Sequence, residues 1–248
     1  MADGVVVTET NDSKDAEPAV PVKFNARLPF SPLPPYEELF AERVPLVTAF
    51  SLALGECLRK QRAGQARVFY AAECGVYTGS SLLACARLAV EYGVNVQFLG
   101  FDTFKGLPKL SHEDRRLAPQ GARYLTESMF GDTSLEAVKA AVEAGGYSSS
   151  VKLIAGLFSR TFPQIGERQY SFVNIDCDLY QGHLECLHYF YPRMVKGGVL
   201  FFDDYHSEHY PMGKKAVDRF LRDKPEKLFH LRYGKHRPNH TKAYLIKH

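Results

Sequence analysis

The chain of 248 residues lacks tryptophan, a strong charge of either sign and any long apolar run. A membrane-spanning helix needs about 20 consecutive apolar residues, so we expect no membrane partner. The net charge of only +3 gives no support for a nucleic-acid partner. The N-terminus has neither a basic segment nor a long apolar one, so it does not resemble a secretory signal and we expect a cytoplasmic protein.

Cysteine is also scarce, and its arrangement excludes a disulfide framework or a cysteine-rich zinc site. The five cysteines are odd in number and contain no C-x-x-C pair. They lie within apolar or helical patterns, so we interpret them as reduced core thiols. These residues are Cys57, Cys74, Cys85, Cys177 and Cys186.

Composition divides the chain into three parts. Residues 1–22 are acidic and poor in aromatic residues, which predicts a disordered tail. Residues 23–61 hold several prolines and then two helical patterns, over 36–43 and 45–61, which predict a helical segment that covers the sheet or acts as a lid over a site. Residues 62–248 are expected to form a single α/β domain.

Short apolar runs alternate with helical patterns at least five times from residue 68 onward. This alternation predicts a mostly parallel sheet with helices on both faces, and the last two apolar runs predict a C-terminal hairpin. Ligands bind such sheets outside the carboxyl ends of the strands. We therefore expect the acidic residues that end four of the runs to share one edge of the sheet: Glu73, Asp102, Asp176, Asp178, Asp203 and Asp204.

The stretch ECGVYTGSS has the form of a strand, a glycine turn and the start of a helix. Gly75 and Gly79 permit a tight turn and a close approach to a ligand, and Thr78, Ser80 and Ser81 can cap the helix. The stretch lacks both G-x-G-x-x-G and the lysine of a phosphate loop, so it favours a nucleoside or amino-acid moiety over a pyrophosphate. An ordinary strand-to-helix turn is the alternative.

The stretch GFDTFKGLP places Asp102 at the end of the next strand. An acid in this position can accept hydrogen bonds from both hydroxyls of a ribose. An Asx turn that begins the following loop is the alternative interpretation.

Five stretches in order resemble the macrocin O-methyltransferase family over about residues 68–222: ECGVYTGSS, FDTFKGLP, DCDLYQG, YPRMVKGGVLFFDDY and GKKAVDRF. Enzymes of that family move a methyl group from S-adenosylmethionine to sugar hydroxyls in macrolide biosynthesis. The resemblance implies a Rossmann-like class I methyltransferase fold with a mostly parallel seven-stranded sheet. It also implies a divalent metal, Mg²⁺, held by Asp176, Asp203 and Asp204.

The same resemblance assigns roles around the predicted edge of the sheet. The expected S-adenosylmethionine contacts are Glu73, Gly75, Val76, Tyr77, Thr78, Gly79, Ser80, Ser81, Asp102, Thr103, Phe104 and Gly156. Carboxylate oxygens are hard ligands that suit Mg²⁺, and coordination lowers the pKa of a bound hydroxyl. The expected catalytic residues are Asp176, Asp178, His206 and His209, although both histidines can instead be solvated loop residues.

Two segments depart from the family pattern, and both are expected to face the acceptor: YHSEHYPMGKKAV and the loop DRRLAPQGARYLTESMF. We expect the acceptor to be a hydroxyl of a sugar or another polyhydroxylated small molecule. From His206 onward, eleven Lys and Arg outnumber four Asp and Glu, which indicates either a solvated basic face or an anionic acceptor. The number of subunits stays open, with a homo-oligomer as one option.

Three rival functions share some of these features. The stretch NIDCDLY also fits the D-x-D motif of magnesium-dependent phosphatases, but that motif should follow the first strand rather than the fourth. A D-x-D glycosyltransferase leaves ECGVYTGSS unexplained. A noncatalytic S-adenosylmethionine-binding protein would be expected to have lost the strand-end acids, and all of them are present.

Overall fold

The computed structural model describes residues 6–9, 43–233 and 241–248. Its strands and helices are, in chain order, β1 (Val6–Glu9), α1 (Val44–Arg62), β2 (Phe69–Cys74), α2 (Ser80–Glu91), β3 (Val96–Asp102), α3 (His112–Leu117), α4 (Leu135–Ala144), β4 (Val151–Ala155), α5 (Phe158–Thr161), β5 (Tyr170–Ile175), α6 (Tyr180–Phe190), β6 (Met194–Phe202), α7 (Pro211–Leu221), β7 (Phe229–Arg232) and β8 (Thr241–Ile246). Among these helices, none is both long and apolar enough to cross a membrane.

All eight strands form one sheet in the order β1-β7-β8-β6-β5-β2-β3-β4. Strands β2 to β6 pair in parallel, whereas β6 pairs antiparallel with β8, and β8 pairs antiparallel with β7. The parallel sheet and the C-terminal hairpin are therefore confirmed. The seven strands from β2 to β8 are the seven predicted, and β1 is an additional one.

Strand β1 differs from the prediction of a disordered tail over residues 1–22. Val6–Glu9 pair antiparallel with β7, which would otherwise be an edge of the sheet. Valine favours extended backbone, and the unpaired backbone groups of β7 give this short segment partners that an acidic composition does not reveal. The rest of the predicted tail lies outside the described residues, and so do the prolines and most of the helical pattern at 36–43.

Helix α1 covers one face of the sheet. Its apolar residues recur every four positions, and they pack against β5, β6 and β8. The ring of Phe50 lies 5.0 Å from that of Phe172 and 5.8 Å from that of Phe98. The described part of the predicted helical segment is therefore a covering helix rather than a lid.

Successive side chains along each strand point to opposite faces of the sheet, so they pack into two separate cores. In β5, Phe172 belongs to the core beneath α1 and α2, and its neighbour Val173 belongs to the core beneath α6. Every residue of β5 is buried, as expected for a central strand with helices on both faces. The two cores together hold the carboxyl ends of the parallel strands in fixed register.

The strand order reverses at β2. The chain continues from β2 to β3 on one side, whereas β5 pairs with β2 on the other. Connections leave such a pair of strands in opposite directions, which opens a crevice at their carboxyl ends. A ligand site is expected there, between Gly75 and Asp176.

Candidate cofactor and acceptor site

A cavity of about 430 Å³ opens at the carboxyl ends of β2, β3, β4 and β5. The residues predicted from the sequence that line it are Glu73, Gly75, Val76, Tyr77, Thr78, Ser80, Ser81, Asp102, Thr103, Gly156, Asp176 and Asp178. Gly79 and Phe104 lie behind this surface, in the turn and in the core respectively. The turn that follows β2, the turn that follows β3, and the acids Asp176 and Asp178 therefore meet in one cavity.

Gly75 allows the end of β2 to touch the end of β5. Its φ is +93°, and a Cβ atom at this position would lie 1.7 Å from the carbonyl oxygen of Asp176. The amide of Gly75 donates to the carbonyl of Phe101, and the amide of Asp176 donates to the carbonyl of Cys74, both at 2.9 Å. Only glycine fits where three strand ends are so close together.

Asp102 holds the turn after β2. Its Oδ2 accepts hydrogen bonds from the amides of Val76 (2.7 Å) and Tyr77 (2.9 Å), and its Oδ1 accepts one from the amide of Phe104 (2.7 Å). The bond to Phe104 is the local turn that we kept as an alternative. A carboxylate has about four acceptor sites, and these amides use three of them. The Thr103 hydroxyl lies 3.4 Å from Oδ1 but donates to the carbonyl of Gly106 at 2.6 Å, so Asp102 keeps one site for a ribose hydroxyl while it fixes the turn.

The start of α2 differs from the predicted capping. Gly79 is the N-cap residue, with a φ of +83°, and no side chain caps the helix. The prediction that Thr78, Ser80 or Ser81 caps α2 is therefore wrong, because the left-handed turn at Gly79 directs these side chains elsewhere. Ser80 instead accepts a hydrogen bond from Arg43 at 2.6 Å.

Glu73 is a buried acid in the wall of the cavity. It is 3% exposed, and its Oε1 accepts a hydrogen bond from Asn174 at 2.8 Å. Its Oε2 has no hydrogen-bond partner within the described parts of the chain. Burial raises the pKa of Glu73 to about 8, because the hydrogen bond from Asn174 offsets only part of the desolvation. A buried acceptor without a partner suits a ligand that brings a donor.

Asp176, Asp203 and Asp204 converge beside this cavity. One oxygen from each can be chosen so that all three lie within 4.8 Å of one another. Adjacent ends of β5 and β6 bring them together, as their positions in the sequence predicted. Burial and the neighbouring carboxylates raise the pKa of Asp176 well above its usual range. The cluster therefore favours a cation or a proton among its members.

A lysine also reaches this cluster. The ammonium of Lys242, on β8, contacts a carboxylate oxygen of Asp203. Asp178 has a φ of +60°, and its amide donates to Asp204 Oδ2 at 2.9 Å. The Asp178 side chain faces the cavity, where burial and Asp204 raise its pKa well above the usual range.

His183 belongs to the same cluster and was not predicted. It is fully buried on α6, with Nε2 3.7 Å from Asp204 Oδ2 and Nδ1 2.9 Å from the carbonyl of Leu179. Burial lowers the pKa of His183, but Cys177 and Asp204 outweigh it and raise this pKa to about 10. One sequence feature could have indicated that His183 is buried: it lies four residues after Leu179 and four before Leu187, on the apolar face of a helix.

The two predicted catalytic histidines lie away from the cavity. His206 Nε2 is 2.8 Å from His230 Nδ1, and burial together with His230 lowers the pKa of His206 to about 4. His209 is exposed, and its ring contacts that of Tyr124 at 5.7 Å. Neither residue lines the cavity, because both follow the turn that carries the chain away from Asp204.

The loop DRRLAPQGARYLTESMF, residues 114–130, lies along one side of the cavity, which both of its ends line. We call this loop the roof of the site. Asp114, on α3, is fully buried, and its Oδ1 accepts a hydrogen bond from the amide of Tyr180 at the start of α6 (2.7 Å). Ser111 and Asp114 also form a capping box. The pattern S-x-x-D in SHED was a usable signal for this short helix, although not for its partner on α6.

Comparisons with known proteins agree with this geometry. A model of the macrocin-O-methyltransferase (TylF) family matches residues 64–228. A curated relative from Streptomyces olivaceus, 8-demethyl-8-(2,3-dimethoxy-alpha-L-rhamnosyl)-tetracenomycin-C 4'-O-methyltransferase, is 26% identical over 135 residues. These residues are 54% of this chain and 51% of the relative, so the match spans about half of the relative's length.

Two solved structures share the fold. The O-methyltransferase NovP is 20% identical with a TM-score of 0.61, over 81% of this chain and 79% of NovP. The calicheamicin methyltransferase CalS11 is 23% identical with a TM-score of 0.58, over 85% of this chain and 82% of CalS11. The fold is thus the predicted Rossmann-like fold of class I methyltransferases. Because the family model covers more than half of the sequence, this chain belongs to the macrocin-O-methyltransferase family.

Proposed function

We propose that this protein transfers a methyl group from S-adenosylmethionine to a hydroxyl of a sugar-bearing small molecule, with a divalent metal at Asp176, Asp203 and Asp204. The observation that carries the proposal is the meeting of the Gly75 turn, the buried Glu73 and the acid cluster at one crevice. The tetracenomycin relative is named for methylation of a rhamnosyl group, which supports a sugar acceptor.

The residues around the Gly75 turn fit S-adenosylmethionine. The Oε2 of Glu73 has no hydrogen-bond partner among the described residues and suits a positively charged donor such as an amino group, whose binding would favour the ionised form of this acid. The absence of a side chain at Gly75 leaves room at the point where β2 and β5 meet. Asp102 retains acceptor capacity toward a ribose while it holds the amides of Val76 and Tyr77.

S-adenosylmethionine, when bound, supplies a sulfonium methyl group, so that an oxygen–carbon bond forms as the sulfur–carbon bond breaks. The chain's task is to hold the acceptor hydroxyl in line with that methyl group and to exclude water. Asp178 faces the cavity beside Asp176 and is the residue we assign to accept the hydroxyl proton. His206 and His209 have no part in this assignment, because neither reaches the cavity.

The acid cluster fits Mg²⁺. Its donors are all carboxylate oxygens, which hard cations prefer, and their spacing suits one shared ion. Such a metal would supply Lewis-acid activation of the acceptor hydroxyl. The contact of Lys242 with Asp203 leaves the other oxygen of that carboxylate available, and it also offers a metal-free way to neutralise part of the charge.

The phosphatase alternative receives no support from the fold. A D-x-D phosphatase needs its first aspartate after the first strand, whereas Asp176 follows β5, next to the cofactor turn. The cytoplasmic location, the absence of a nucleic-acid partner and a homo-oligomeric state stay predictions.

Calorimetric titration with S-adenosylhomocysteine tests the cofactor part of the proposal. We expect saturable binding, and Asp102→Ala should weaken it at least about tenfold because the turn loses the carboxylate that holds two amides, worth about 1.5–3 kcal/mol. Asp223→Ala, which removes an exposed carboxylate that pairs with Lys224, is the matched control and should bind normally. Absence of binding at millimolar ligand would contradict the proposed function.

A further inference from the structure

Lys242 lies beside the acid cluster at the ends of β5 and β6. Strand β8 runs antiparallel to β6, and Ala243 pairs with Phe202, the last residue of β6. The first residues of β8 therefore lie at the same edge of the sheet as the acids that follow β5 and β6. At this edge the Lys242 ammonium contacts Oδ2 of Asp203.

The charge of Lys242 reaches every member of the cluster. Burial lowers the pKa of Lys242, but attraction to the three carboxylates of the cluster outweighs burial and raises this pKa. The lysine is therefore an ammonium at neutral pH. His183 is also close, but its Nε2 lies 3.7 Å from Asp204 Oδ2, whereas Lys242 is in direct contact with Asp203.

One ammonium neutralises only part of the cluster. Asp176 keeps a pKa well above its usual range although Lys242 lowers it, because burial and the neighbouring carboxylates have the larger effect. The cluster thus still favours a proton or a further cation after Lys242 is counted. The lysine provides part of the positive charge that a dication would provide in full.

A second lysine, just past the other end of β8, forms a structural ion pair. Lys247 contacts Glu226 at 2.6 Å, and the Glu226 side chain is fully buried and also accepts a hydrogen bond from Tyr191. That pair is enclosed, with one carboxylate for one ammonium. The side chains of Lys242 and Asp203 are 21% and 29% exposed, and two more carboxylates lie beside them. The Lys242 pair is therefore open to solvent and to an incoming cation.

We propose that Lys242 is the resident counter-ion of the acid cluster: it neutralises part of the cluster in the metal-free protein, and its positive charge weakens the affinity of the carboxylates for the divalent metal. This inference rests on the proposed metal site and adds the residue that sets its affinity. A dication shared by the three carboxylates would have an ammonium as its neighbour, because Lys242 contacts one of them. Like charges this close repel strongly in a partly buried setting, so the lysine stabilises the metal-free protein and keeps the metal exchangeable.

Binding of Mn²⁺, followed by the electron paramagnetic resonance signal of the free ion, tests the inference. Lys242→Met removes the charge but keeps a long side chain, and it should bind Mn²⁺ at least about tenfold tighter than wild type because the repulsion is gone. Lys242→Arg keeps the charge and should stay within about threefold of wild type. Lys224→Met is the control. It removes an ammonium from a surface pair with Asp223 and should leave the affinity unchanged.

Thermal unfolding gives a second readout. In the presence of a chelator, Lys242→Met should melt at a lower temperature than wild type, because the cluster has lost its counter-ion. Mn²⁺ should then raise the melting temperature of Lys242→Met by more than it raises that of wild type. If Lys242→Met does not fold without metal, Lys242→Gln replaces it. Glutamine can still donate to Asp203 but has no charge, so the same tighter binding of Mn²⁺ is expected.

Two outcomes would overturn the inference alone. Equal or weaker Mn²⁺ binding by Lys242→Met, beside wild-type protein that binds Mn²⁺, would show that the lysine does not oppose the metal. Binding by Lys242→Arg as tight as that by Lys242→Met would show that charge is not the cause. Absence of Mn²⁺ binding by wild type and every variant, in protein that binds S-adenosylhomocysteine, would contradict the proposed metal site itself, so the two failures are distinguishable.

Discussion

At the scale of single residues, Gly75 occupies a position that has no room for a side chain. Gly75→Ala should destabilise the fold by roughly 2–5 kcal/mol, because it combines overpacking against Asp176 with a φ of +93°. Gly64→Ala is the matched control. It has a φ of +67° and nothing within 4 Å, so it should cost only about 1 kcal/mol of backbone strain. Urea denaturation measures both, and equal costs would contradict the close approach of β2 and β5.

Glu73 makes stability depend on pH. Its pKa is about 8 in the folded chain and about 4.5 when exposed. Between these values the folded state holds a proton that the unfolded state has lost, so the free energy of unfolding falls as pH rises, by up to about 1.4 kcal/mol per pH unit. Glu73→Gln is neutral throughout and should flatten this slope in urea denaturation with a chelator present. Glu136→Gln, on the exposed side of α4, is the control and should leave the slope unchanged. If the slope of Glu73→Gln equals that of wild type, the buried Glu73 is not the source of the pH dependence.

At the scale of elements, a buried hydrogen bond between α3 and α6 helps to hold the roof of the site, beside the apolar cluster that packs Leu125 against Leu179 and Met212. Asp114→Ala removes the acceptors for the amides of Tyr180 and Ser111, which should cost roughly 2–4 kcal/mol. It should also speed tryptic cleavage within residues 105–123, because the loop is released from α6. Glu113→Ala breaks an exposed ion pair with Arg116 on the same helix and should cost less than about 0.5 kcal/mol. Similar cleavage rates in the two variants would show that Asp114 does not hold the roof.

The regular elements were predictable because their patterns are local. The alternation of apolar runs and helical patterns predicted β2 to β8 and four of the helices between them, α2, α4, α6 and α7, within a few residues at each end, but not the short helices α3 and α5. Contacts between distant segments were not predictable in this way. The pairing of Val6–Glu9 with β7, and the cap that Asp114 provides for α6, depend on partners far away in the chain.

At the scale of the whole molecule, the parallel sheet determined how much of the site could be predicted. Strand ends meet at one edge, so the convergence of Asp176, Asp203 and Asp204 followed from their positions in the sequence. His183 was missed because it reaches Asp204 from a helix rather than from a strand end. His206 was placed wrongly relative to the cavity because the turn after Asp204 directs it to His230.

Transfer of a methyl group to a glycoside, followed by mass spectrometry, tests the central proposal most directly. Metal-stripped protein, S-adenosylmethionine and a glycoside panel should give a product that carries one added methyl on the sugar only after Mg²⁺ is restored. Asp203→Asn should abolish most of this activity, and Asp223→Asn, at an exposed carboxylate that pairs with Lys224 and is not part of the cluster, should retain it. Product formed equally with and without chelator would contradict the metal role. No methylated glycoside from protein that binds S-adenosylhomocysteine would contradict the proposed reaction.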